Sequence, residues 1–200
     1  MKRISPLLIL AAVLGIGAFL VTGDAWAAVA DTPHNLNNSG YTVRQSQVCL
    51  PCHTPHGARR MEPGADHAEV LWNHAITEAT FTMYPTSNPQ DPQPNGASKR
   101  CLSCHDGVTA VDNYGGSNGT SVMTGDEALG ADLSDDHPIS VTYVTSRSYR
   151  SPTDAGFTGV KLINDKVECS SCHYAHSNDR GDFLRTSNEG SALCLKCHIK

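Results

Sequence analysis

Every cysteine in this chain belongs to one repeated pentapeptide, Cys-x-x-Cys-His. The copies are CLPCH (Cys49, Cys52, His53), CLSCH (Cys101, Cys104, His105), CSSCH (Cys169, Cys172, His173) and CLKCH (Cys194, Cys197, His198), and together they use all 8 cysteines. Two thiols three residues apart lie on one side of a helical turn, where each can add to one vinyl group of the same porphyrin. The histidine that follows can then ligate the iron, which is the attachment chemistry of c-type haem. Two CxxC pairs can also hold zinc, but a zinc ribbon has no need of His after each second cysteine. A disulfide framework suits an exported chain with an even cysteine count, yet it needs no identical units. The reading is four covalent haem c (heme c) groups.

The first residues carry an export signature. Lys2 and Arg3 precede an almost unbroken apolar run from Pro6 to Val21, followed by small residues as Ala25-Trp26-Ala27 or Ala28-Val29-Ala30. We expect a signal peptide over 1–27, with cleavage after Ala30 as the alternative, and a tetrahaem cytochrome c domain over 28–200. Hydrophobic residues make up 39% of the chain, and many of them lie in this leader. What remains is short of apolar side chains for a globular domain. The expected fold is therefore mostly irregular, a loop-rich multihaem cytochrome with few short helices at the CxxCH sites and minor β structure, in which the haems form the core. Net charge is −5, and no basic patch suggests nucleic acid.

Between the motifs the signals are sparse. Apolar residues at Ala68, Leu71, Trp72, Ala75 and Ala79 make 61–84 weakly helical. Prolines mark 85–99 as loop. The strand candidate is 136–145, with Val141, Thr142, Tyr143 and Val144, and a shorter strand is expected at Val160–Ile163.

Four irons with one motif His each need four more ligands to be closed on both faces. Of 10 His, six remain: His34, His56, His67, His74, His137 and His176. Methionine is the rival ligand, but Met61, Met83 and Met123 are not needed. All four haems are thus expected to be bis-histidine and low-spin. His56 and His176 each follow a motif His by three residues, so each stays on the proximal side of its own ring and can ligate only a neighbouring haem. Pro138 holds His137 on an extended backbone. His74, beside Trp72, reads as packing or a propionate partner, and His67 as a surface residue.

The order PH-N-L, CxxCHTPHG, LWN, CxSCHDG, DHP, CxSCHxxH, FLRT and LCLxCH resembles the outer-membrane cytochrome E family of tetrahaem cytochromes from metal-respiring bacteria. The resemblance implies distal ligands at His34, His56, His137 and His176, and a head-to-tail homopolymer forming extracellular filaments with a continuous run of haems. One axial His is then donated between subunits. The candidate is His34, since the segment to Cys49 reaches roughly 50 Å when extended. The implied function is electron transfer, not enzymatic catalysis, from other multihaem cytochromes to extracellular acceptors such as metal oxides, at the surface of a Gram-negative bacterium. The alternatives are a soluble periplasmic shuttle and a multihaem reductase.

Overall fold

The computed structural model describes residues 29–41, 47–58 and 70–200. The leader over 1–27, Met61, His67 and the first part of the helix expected over 61–84 lie outside the described residues. Most of what is described is loop, with a few short helices and one small sheet. The longest element is helix α1, Gly96–His105. Asn95 starts it by accepting a bond from the Gly96 amide at 2.7 Å, as asparagine does at helix N-caps. It stops where the Asp106 amide donates to the Leu102 carbonyl at 2.9 Å. Gly107 follows at φ 67°, a conformation a side chain would resist.

Strands β1, Val141–Thr142, and β2, Lys166–Val167, pair antiparallel, with Val141 opposite Val167 and Thr142 opposite Lys166. The strand expected over 136–145 is thus two residues long. The second strand lies at Lys166–Val167 and not at Val160–Ile163; Ile163 only turns back onto Lys166 through paired backbone bonds of 3.0 Å. Helix α2, Cys169–Cys172, begins directly after β2. Two 3-10 turns, Glu189–Ser191 and Cys194–Lys196, close the chain.

The stretch 72–84 is extended, not helical, because its backbone is committed elsewhere. The Thr77 amide donates to Ser103 Oγ at 3.0 Å, and the amide and carbonyl of Phe81 bond the Gln93 side chain at 2.8 and 2.9 Å. Its β-branched and aromatic residues, among them Ile76, Thr77, Thr80 and Phe81, suit that state better than a helix. Phe81 then packs with Leu102 and Leu133, flanked by Ala79, Met83 and Ile139. Among the described residues this is a small apolar core for the length of chain.

One polar knot joins the elements. Glu168 is 4% exposed, and its carboxylate accepts bonds from Ser98 of α1 and from Ser140, just ahead of β1. The Glu168 amide donates to Ser171 of α2 at 2.9 Å. Burial raises the Glu168 carboxyl above its ordinary range, against the pull of the two serine hydroxyls.

Candidate haem centres

All four pentapeptides adopt the same local turn, in which the His amide donates to the first Cys carbonyl. The bond is 2.8 Å for His53–Cys49, 3.0 Å for His173–Cys169 and 2.9 Å for His198–Cys194, and the second copy lies inside α1. This one α-helical turn brings both thiols to the same side of the chain. All eight cysteines are free thiols, with no disulfide among them.

The thiols of successive sites are neighbours in space. Burial raises the Cys104 thiol, and nearby Cys52 of the first site adds to the effect. The Cys101 thiol donates a hydrogen bond to Cys169 of the third site. Cys172 is pushed up to about 11 by burial and then by Cys197 of the fourth site. The attachment points therefore run first, second, third, fourth, in the order of the sequence.

Three imidazole pairs face each other across similar gaps. Ring centroids are 6.0 Å apart for His53 and His176, 6.4 Å for His34 and His105, and 6.4 Å for His137 and His198. A metal–imidazole bond of about 2.0 Å on each side, with about 1.1 Å from nitrogen to ring centre, sets trans imidazoles about 6 Å apart. The three separations match that distance. Each pair joins a motif His to a His from a different part of the chain.

The rings are also held in the tautomer a metal requires. A carbonyl can only accept, so the Nδ1 that touches it must carry the hydrogen and leave Nε2 as the ligand. His53 donates to the Val70 carbonyl at 2.5 Å, His105 to Glu127 at 2.8 Å and His173 to Asp182 at 2.7 Å. His34 does so to Ala175 at 3.1 Å and His137 to Pro138 at 3.0 Å. Burial lowers the pKa of His34, His176 and His198 below 6.5, which favours the neutral, ligating form.

His34, the residue expected to be donated between subunits, is here placed within the single chain described. It lies against Phe183, with ring centroids 4.0 Å apart and planes 18° apart, opposite His105. His173 and His56 are the two that remain. Both are exposed, and among the described residues neither faces another imidazole as the three pairs do. His74 is buried, with Nδ1 2.7 Å from the Ala75 carbonyl and Nε2 3.2 Å from that of Val111, a packed residue between segments.

Two buried polar atoms lack a partner among the described residues, Trp72 Nε1 and Ser170 Oγ. Trp72 is bridged to His53 and Ser170 lies between Cys169 and Cys172. Orphaned donors of this kind fit a cofactor that brings carboxylates of its own. Phe183 was legible only as part of FLRT, since nothing in its sequence neighbourhood announces a platform for a ring 149 positions away. The same holds for Tyr149, whose ring centroid lies 5.0 Å from that of His198.

No curated protein matches the chain. Residues 162–200 match the family described as a doubled CXXCH motif, which contains the third and fourth sites. With that match and with four CxxCH turns, the chain is a multihaem c-type cytochrome-like protein that binds haem c covalently and serves electron transfer.

Proposed function

We propose that this chain is a tetrahaem electron conduit in which every iron is closed by two histidines, three within the chain and one between chains. His176 closes the first haem opposite His53, His34 the second opposite His105, and His137 the fourth opposite His198. The third haem, on His173, receives His56 of another copy. The observation that carries this reading is arithmetic on the histidines: among the described residues, three pairs at 6.0–6.4 Å leave His173 as the one motif His without a facing imidazole and His56 as an exposed spare.

A ligand donated in one direction makes a head-to-tail contact that does not close, and such contacts propagate as filaments. Bound haem supplies one-electron chemistry at iron. The chain's own residues fix ring orientation through the Nδ1 bonds, favour the neutral form of His34 and His176 by burial and hold consecutive attachment sites side by side. In this reading the leader exports the chain, and the filament carries respiratory electrons across the cell surface to extracellular acceptors.

A second reading rests on the same leftover pair. In a single chain the third haem has no distal histidine among the described residues, and an open coordination position is what a multihaem reductase needs. One experiment separates the two. In the conduit reading, assembled parent protein has four low-spin ferric haems by electron paramagnetic resonance. His56→Ala protein stays dispersed, with one high-spin haem in four at every concentration. If His56→Ala assembles with all four haems low-spin, donation by His56 is wrong. If the assembled parent keeps one high-spin haem that turns over a small oxyanion, the reductase reading replaces the conduit.

A further inference from the structure

A cleft of about 430 Å³ opens beside the third attachment site, and its polar lining is basic. Gly159 and Lys161 form part of one wall, and Tyr174, Ser177, Arg180 and Arg185 part of the other. No lining residue is a cysteine or a histidine, and none is acidic. Among the described residues the ion pairs are Arg150–Asp154 and Lys166–Asp91, so Lys161, Arg180 and Arg185 bring their charge to the cleft without a salt-bridged carboxylate. In a chain of net charge −5, three cations gathered in one concavity mark a local reversal of field.

The walls are built before any ligand arrives. Arg185 Nε donates to the Ser170 carbonyl at 2.7 Å, and its guanidinium carbon sits 5.2 Å from the centre of the Tyr174 ring. That fixes the fork and leaves its terminal N–H groups to serve a planar oxyanion. The Lys161 amide donates to the Ser171 carbonyl at 3.2 Å and the Arg185 amide to that of Cys172 at 2.8 Å, so both walls hang from the CSSCH turn. Gly159, at φ 81°, lets the walls close in: a Cβ there would stand 3.2 Å from Thr186 Cβ. Ser170, whose carbonyl anchors Arg185, also carries one of the two unpartnered buried hydroxyl or indole groups.

We propose that this cleft is a carboxylate-binding site at the third haem centre, seating either a propionate of that haem or a small polycarboxylate from solution. The inference rests on a haem being attached at Cys169 and Cys172. It adds a ligand class and three residues to that centre, and it does not depend on filament formation.

The test uses the tetrahaem protein with citrate as the probe. Calorimetric titration at low and high salt is paired with a potentiometric titration of the four haems, for the parent, the Lys161→Gln/Arg180→Gln double variant and Arg185→Gln. Arg147→Gln, away from the cleft lining, controls for overall charge. If solution carboxylate is the ligand, the parent binds citrate, salt weakens binding, and the cleft variants lose affinity at least tenfold while Arg147→Gln does not. If the ligand is a haem propionate, citrate does not bind. One haem of the four then titrates at a lower potential in the cleft variants, because a cation that opposed the ferric charge is gone. Absence of both effects overturns the proposal. Intact mass reporting four haems in each variant keeps that result distinct from failure of the haem assignment.

Discussion

The first and third haem motifs make the most informative comparison in the molecule. Both end in CHxxH, with His53/His56 in one and His173/His176 in the other. In both, the motif His is locked by an Nδ1 bond to a carbonyl. Yet His176 sits across from His53, while among the described residues His56 and His173 face no other imidazole in this way. Two copies of one CxxCHxxH pattern thus differ, because the 174–185 loop folds back on the N-terminal arm, where His34 bonds the Ala175 carbonyl and stacks on Phe183, and sets His176 across from His53. The lesson is that a spare histidine beside a haem motif does not by itself name its partner. Which ring it meets is decided by long-range packing.

The largest expected effect comes from treating the two spare histidines alike. His176→Ala should leave the first haem high-spin at all protein concentrations and leave assembly intact, the reverse of what His56→Ala does. Electron paramagnetic resonance with sedimentation reads both, and identical behaviour of the two variants would erase the distinction. Next, carbon monoxide should bind the reduced, dilute parent at one site per chain, and at none once the protein is assembled. Absorbance counts the sites, and two or more in the dilute protein would mean that a centre paired within the chain is open.

A core lesion should not distinguish the centres at all. Leu102 is fully buried between Phe81 and Leu133, and Leu102→Ala should cost about 2–5 kcal/mol in denaturant unfolding with the spin state of each haem unchanged.

The smallest effect belongs to Glu168, at the border between the second and third sites. Its carboxyl is raised by burial, so its contribution to stability is present below the ordinary glutamate range and fades as pH rises through the raised value. Glu168→Gln should match the parent near pH 4 and melt slightly higher above neutrality. A lower melting temperature at every pH would mean that the serine bonds outweigh the buried charge.

The attachment sites were legible in the sequence because their chemistry is local: a turn of five residues contains both thiols and the ligand. The preference for loops was legible too, since a chain short of apolar side chains cannot build large elements. What the residues could not show was which histidine meets which. His34 finds its position through Phe183 and the Ala175 carbonyl, far away along the chain, and its short polar surroundings read as a free arm. The helix expected near Trp72 failed for the same reason, as Ser103 and Gln93 take the backbone bonds that a helix would have used internally.

The thiols of neighbouring motifs lie near one another in the order in which the chain is synthesised. In the conduit reading, porphyrins loaded from the N-terminus onward would each be laid beside the one before. A single missed attachment in the middle would then cut the row into two stubs, whereas one at either end would merely shorten it.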